Sequence, residues 1–483
     1  MSPLLNEAPL LSGAALPVLQ AQGIAVPSYV RGGAPGIVHL GLGAFHRAHQ
    51  AVVFERLLQQ GDTRWGILGV GMHSTQVADA LAAQDGLYSL QISDQTGSRW
   101  QVLGSVLRTC VAARERGQVL QAIAATSTRW ITLTVTEKAY GPDLARLIVE
   151  GLNARFDADL PGLTIASCDN LSHNGDQLKR LCVQAAARVT GALASWVEQH
   201  CRFPNSMVDR IVPASNPARV EAVQATLGVR DAVALGTEGF WEWVIEGSQL
   251  GAVDARALAS VGVTVVDDVA PYEQAKLQML NASHSAMACI GAVAGLKVIS
   301  DCIGHPAIRQ FVHGLMTQEV GPQMRRADWP SYRDALLARF ANPALQHSVH
   351  QIATDGSLKI PLRWVPTLLQ CLANNQAFEH LAFAGAAWLR YLQGRDEAGN
   401  SYTVLDPLAT PLQNLAKQHA DNPQNFIQST ADLTVIWGIA LPAHPAWHSR
   451  TAHWLGQIQQ RGMLPALILF NLQLNLQTGS ATP

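Results

Sequence analysis

The chain has 483 residues, 48% of them hydrophobic and 14% charged, with a formal net charge of −2. That length exceeds one ordinary core and that composition excludes a disordered chain, so two large domains, or one plus a substantial extension, are expected. Near-zero charge without a basic run excludes nucleic acid and anionic membrane as partners. In chain order, short apolar runs at 36–40 (GIVHL), 65–70 (WGILGV), 130–136 (WITLTVT), 163–168 (LTIASC) and 210–213 (RIVP) are predicted strands. Helical patterns at 47–60, 75–84 and 176–199 lie between them. Continuous rather than alternating apolar runs describe a sheet covered on both faces, hence parallel. The expectation is an α/β, Rossmann-type doubly wound N-terminal domain over residues 1–268. Beyond Asp268 strand-like runs nearly vanish, and helices are predicted at 272–296, 305–318, 332–340, 343–354, 376–392 and 448–460. Prolines 271, 306, 330 and 343 mark four of their starts, which predicts a mostly α-helical C-terminal domain over 269–483.

The longest apolar stretch, 287–296, is too short to cross a bilayer. The N-terminus lacks a basic region, so no signal peptide is expected. Seven scattered cysteines without a C-x-x-C point to free thiols in a reducing, cytoplasmic setting rather than a disulfide framework or structural zinc.

Gly41-Leu42-Gly43-Ala44-Phe45-His46 follows the first predicted strand and opens a helix. Glycines there let the backbone approach a pyrophosphate at a helix N-terminus. An ordinary tight turn stands as the alternative, because His46 replaces the third glycine. Gly41, Gly43, Ala44 and Phe45 are the candidate cofactor contacts, with Gly69 and Val70 ending the second strand, Thr136 ending the 130–136 run and Glu137 directly after it. A carboxylate after the second strand would hold the ribose of NAD, but Gly71-Met72-His73-Ser74-Thr75 offers neither carboxylate nor arginine. NAD is the expected cofactor, with NADP not excluded. His46 and His49, and His347 and His350, have zinc-compatible spacing but no third ligand, so no metal is expected.

Only six residues are lysine. One of them, Lys276, shares a predicted helix with Glu273, Asn281 and His284. At about 100° per residue all four fall on one side, beside Leu277 and Leu280. They could serve as proton acceptor, oxyanion donor, hydroxyl ligand and proton relay; an ordinary mixed helix face stands beside that reading.

The blocks GLGAFHRAHQ (41–50), TLTVTEKAY (132–140), SCDNLSHNG (167–175), FPNSMVDRIVP (203–213), KLQMLNASHS (276–285), DGSLKIPLR (355–363) and DEAGNSYTVLDP (396–407) resemble the mannitol dehydrogenase family of long-chain polyol dehydrogenases. The resemblance runs in order over most of residues 36–440. It implies metal-free hydride transfer between NAD(P) and an open-chain sugar, polyol or sugar acid, with Lys276 as general base. It also implies Asn170 and Asn281 as holders of the oxyanion, His284 as substrate-orienting, Glu273 in proton exchange, Asp209 behind the site and Lys359 on substrate. Three departures stand out: Ala139 and Ala282 replace glycines, Glu238-Gly-Phe-Trp-Glu-Trp243 replaces E-P-F-x-Q-W, and a loop that relatives carry after Tyr140 is missing.

Within the family, Lys138, Gln351, Lys359 and Arg363 side with the branch acting on sugar acids, mannonate and fructuronate, although Trp241 stands where that branch has arginine. Lys138 is the candidate partner for a substrate carboxylate, against the alternative that it and Arg363 form ordinary ion pairs. A mannitol/fructose or other polyol dehydrogenase is the second reading. A catalytically weakened sensor of NAD(H) or a sugar acid is the reading from another class. The expected partner is a small sugar acid or polyol, and the sequence carries no signal for an oligomeric state.

Overall fold

The apolar runs pair as β1 (Ile37–Leu40), β2 (Ile67–Gly71), β3 (Tyr88–Asp94), β4 (Gly97–Leu103), β5 (Val106–Val111), β6 (Trp130–Leu133), β7 (Thr164–Ser167), β8 (Ser206–Asp209), β9 (Leu235–Glu238), β10 (Glu242–Glu246) and β11 (Thr264–Val266). The computed structural model describes residues 8–94, 97–136, 139–213 and 217–478. It divides into two units, Met1–Ala270 and Pro271–Pro483.

In the first unit a five-stranded sheet runs in the order β5-β2-β1-β6-β7, every neighbouring pair parallel. Alternate residues of its strands enter two separate cores. Ile37, Ile67 and Trp130 pack on one face, and Val38, Val70 and Ile131 on the other. Both faces are therefore covered, which is why the strands are apolar throughout. The register sets Leu40 level with Val70 and Leu133, and Leu133 level with Ser167. Four strands thus end on one line. The chain winds outward from β1 to β5, then restarts at β6 on β1's other side, so the crevice for a ligand opens between the ends of β1 and β6.

Several sequence expectations need correction. The strand expected at 210–213 lies at Ser206–Asp209 and leaves the parallel sheet, pairing antiparallel with β10 in a small sheet β11-β10-β8. The strand expected to reach 136 ends at Leu133, because Thr136 turns into the left-handed region at φ 71°. The helix expected at 176–199 is two, Asn174–Ala187 and Gly191–His200, the second restarted by Thr190, whose hydroxyl accepts the Leu193 N–H. Of 343–354 only Val349–Ala353 is helical.

The second unit is built of helices around Ala282–Val293, every residue of which is buried. A helix apolar on all sides belongs at the centre of a core. Glu379–Tyr391 packs along it and supplies Phe383, Trp388 and Leu389 to the same interior. No described helix is long and apolar enough to cross a membrane.

Candidate active site

The first unit brings its candidate cofactor residues together at the end of β1. Gly41 has φ 102°, and a Cβ there would lie 2.2 Å from the Thr134 carbonyl oxygen, so only glycine fits. Its N–H and that of Leu42 donate to the Val70 carbonyl at 2.9 and 3.2 Å. Gly69 leaves space for the Leu42 side chain, which a Cβ would meet at 2.6 Å. Gly69 and Val70 thus support the turn from behind. Gly43 is different: it caps the helix Ala44–Ala48, is exposed, and a Cβ on it would meet nothing closer than 3.9 Å. That open backbone is where a pyrophosphate would fit, and the residues present suit a dinucleotide. Ala44 and Phe45 follow, half-buried, with the Phe45 ring 5.1 Å from that of His49.

Beneath the turn sits a buried histidine that the sequence analysis passed over. His39 Nε2 lies 3.0 Å from the Gly41 carbonyl and 2.9 Å from Thr134 Oγ1, and Nδ1 lies 2.7 Å from Thr132 Oγ1. The carbonyl only accepts, so Nε2 carries the proton and Nδ1 accepts from the Thr132 hydroxyl. Burial pushes the His39 pKa down to about 3, matching a neutral ring both of whose nitrogens are hydrogen-bonded. His46 stacks on it at 3.2 Å, while His49 Nε2 bonds the Glu242 carbonyl. This zinc-spaced pair therefore packs against separate partners. His347 lies beside His284 and His350 on Tyr402, again apart. Among the described residues no three metal-capable side chains gather.

At the end of β6 the exposed Thr136 is held in its left-handed turn by Asp169. The Val135 and Thr136 N–H groups each donate to that carboxylate at 3.0 Å, and the Tyr140 hydroxyl donates to it at 3.1 Å. Burial raises the Asp169 pKa, while these donors oppose the rise. Asp169 and Tyr140 went unnoticed in the sequence, although both sit inside quoted blocks, SCDN and TEKAY. Asn170 follows Asp169 and is exposed. Asp209 is buried at the end of β8, opposite Glu242. Glu137 and Lys138 lie outside the described residues. After Tyr140 the chain passes directly into the helix Pro142–Asp157.

In the second unit the helix expected at 272–296 contains a feature that sequence periodicity cannot register. Ala270–Ala275 is α-helical, Lys276–Asn281 is π-helical, and Ala282–Val293 resumes the α form. On a continuous α-helix Asn281 would stand about 140° from Lys276. The i→i+5 bonding of a π turn instead brings residue 281 over residue 276. Lys276, Asn281 and Glu273 are half-buried, and His284 is 8% exposed. His284 Nε2 is buried without a hydrogen-bond partner, and burial, then His347 and Arg363, hold its pKa well below the ordinary value. Lys359 and Arg363 lie on the helix Gly356–Arg363. Arg363 Nη1 donates to the Asn281 carbonyl at 3.2 Å and to Ser285 Oγ at 2.7 Å. Lys359 Nζ donates to the Ile352 carbonyl at 3.1 Å, and burial followed by Arg363 lowers its pKa. Gln351 is exposed and its side chain joins none of these bonds.

The profile of the mannitol dehydrogenase Rossmann domain matches residues 35–256, and that of the mannitol dehydrogenase C-terminal domain matches 268–458. The chain belongs to the mannitol dehydrogenase family. It is therefore an oxidoreductase acting on CH–OH groups. Among this family's members it is 34% identical over 459 residues to a D-mannonate oxidoreductase of Escherichia coli, covering 88% of this chain and 93% of that one. It is 32% identical to a mannitol 2-dehydrogenase of Aspergillus clavatus, covering 92% and 95%. Its structure resembles Pseudomonas fluorescens mannitol 2-dehydrogenase in ternary complex with NAD and D-mannitol, with TM-score 0.80 and 30% identity over 95% of this chain and 98% of that one.

Proposed function

We propose that this mannitol dehydrogenase family member is an NAD-dependent oxidoreductase of an open-chain sugar acid, interconverting the secondary alcohol of mannonate and the ketone of fructuronate without a metal. The observation carrying the chemistry is the π turn Lys276–Asn281, whose i→i+5 bonding supports reading Lys276 and Asn281 as facing the same way, with His284 three residues further on. Residues 1–268 are read as the cofactor domain and 269–483 as the substrate domain. NAD, held at the Gly41–Gly43 turn with Thr136 nearby, accepts or returns hydride when bound.

Lys276 Nζ takes the hydroxyl proton as the alcohol is oxidised and returns it on reduction. The Asn281 amide donates to the developing alkoxide, in the role a metal would otherwise fill. His284, kept neutral by burial, orients the hydroxyl through Nε2, and Glu273 passes the proton toward solvent. Lys359 binds substrate; Asn170, an amide for the alkoxide, and Asp209 belong to the same proposal. The choice of sugar acid rests on Lys138, Gln351, Lys359 and Arg363. A polyol such as mannitol is the second reading, supported by the comparable identity to mannitol 2-dehydrogenase. Seven buried, free thiols suit a reducing cytoplasm. A panel of aldonates and alditols with NAD and NADP tests the proposal. Mannonate with NAD should give the highest kcat/KM; a preference for mannitol would reverse the substrate assignment, and binding of NADH without turnover of any substrate would favour a sensor.

A further inference from the structure

We propose that Arg363 is the receptor for a carboxylate on the substrate, and that it sets this chain's selection of a sugar acid over a neutral polyol. The inference rests on the proposal that the Lys276 helix is catalytic. Arg363 ends its helix and turns one nitrogen onto the neighbouring one, where Nη1 grips the Asn281 carbonyl and Ser285 Oγ. Both partners are neutral. Among the described residues no carboxylate lies within ion-pairing distance of this guanidinium. Charges of its own sign stand near: Lys359 lies one turn back on the same helix, and Arg339 and Arg363 both act on His284. Burial alone lowers the Arg363 pKa to about 10, which leaves it charged at neutral pH.

A largely buried cation without a counter-charge is costly, and proteins ordinarily pair it. Here the pairing face is left open. Nε and Nη2 make no bond to the protein, yet neither is sealed from solvent. These two N–H groups form the edge of the guanidinium that takes a carboxylate in parallel, bidentate fashion. His284 Nε2, buried and unpartnered, belongs to the same wall. A carboxylate bound at Arg363 would therefore sit within one turn of Asn281 and His284, on the helix that carries Lys276. A neutral polyol offers that edge hydroxyls only and leaves the charge uncompensated.

The test compares kcat/KM for D-mannonate and D-mannitol, using NAD, in the wild type, Arg363→Met and Arg363→Lys. Calorimetric titration of each compound onto the NADH-saturated enzyme supplies affinities without turnover. The wild type should favour mannonate in both measurements. Arg363→Met should lower the mannonate-to-mannitol ratio about a hundredfold or more. Arg363→Lys keeps the charge but loses the fork, and should fall between the two. A wild type that favours mannonate with a ratio unchanged in Arg363→Met would overturn the role of Arg363 and leave the sugar-acid dehydrogenase standing. A wild type that favours mannitol in both measurements would overturn the sugar-acid assignment and this receptor together. Should Arg363→Met fail to fold by thermal melting, Arg363→Lys decides, and an unchanged ratio there counts against the proposal.

Discussion

At the residue scale the chemistry concentrates on Lys276. Alanine there should reduce kcat about 10³-fold or more, the upper part of the range for a lost general base. Affinity for NADH, read by fluorescence titration, should stay within a few-fold, since the cofactor turn lies in the other unit. EDTA should leave wild-type turnover unchanged. A variant keeping a tenth of wild-type kcat would remove Lys276 from the mechanism, and reversible loss of activity to EDTA would replace it with a metal. Lys276, Asn281 and His284 could be nominated from the sequence because lysine is scarce in this chain and all three fall in one quoted block. Asp169 and His39 were not, since each acts on backbone that only the folded turns bring near.

At the scale of the element, two glycines three atoms of backbone apart do different work. Gly43 has open space where a Cβ would go, so Gly43→Val should keep the melting temperature within a few degrees while abolishing NADH binding. Gly41 has none: Gly41→Ala puts a methyl group against the Thr134 carbonyl in a backbone region closed to alanine. It should cost ~1–3 kcal/mol in denaturant unfolding, the scale of a strained backbone. Equal effects of the two substitutions on stability would contradict this division. The sequence placed the turn because strand, glycines and helix follow one another directly. It misplaced the strand at 210–213 by four residues because an apolar run does not say which sheet its strand joins. It could not show the π turn, because the periodicity argument assumes 3.6 residues per turn before it begins.

At the scale of the whole molecule, buried neutral histidines tie stability to pH. His39 in the folded state titrates near 3, while in the unfolded chain it titrates at its ordinary value of about 6.5. Between these values the unfolded chain binds the extra proton, so His39 makes stability fall as pH falls through that window. Glu55 and Asp169, raised by burial, act in the opposite sense, so the measurement must be a difference. His39→Gln should be less stable than wild type at pH 7.5, where three hydrogen bonds are lost. That gap should narrow by up to about 1.4 kcal/mol per pH unit between pH 6.5 and 4.5. A gap that stays constant in urea titrations across this range would show that His39 does not titrate as assigned. The division into an α/β and a helical unit was readable from one change of texture near Asp268. The two smaller sheets, β11-β10-β8 and β4-β3-β9, were not, since strands such as β3 and β4 mix polar with apolar residues and the sheets recruit β9 and β10 from distant parts of the chain.

The six-residue turn from Lys276 to Asn281 also has a history written into its length. A π turn of this kind is one residue too many for the α-helix on either side of it. Removing that residue, for example by deleting Gln278, should let Ala270–Val293 close into one regular α-helix with its buried C-terminal half still in phase. Such a shortened chain should melt no lower than wild type. Lys276 and Asn281, then four residues apart and about 40° from one another on an α-helix, should still face together and keep kcat within about tenfold of wild type. A deletion variant that keeps its activity would mean that the extra residue is mere tolerance. If it is instead heat-stable and inert, regular helical geometry was given up here for the sake of turnover.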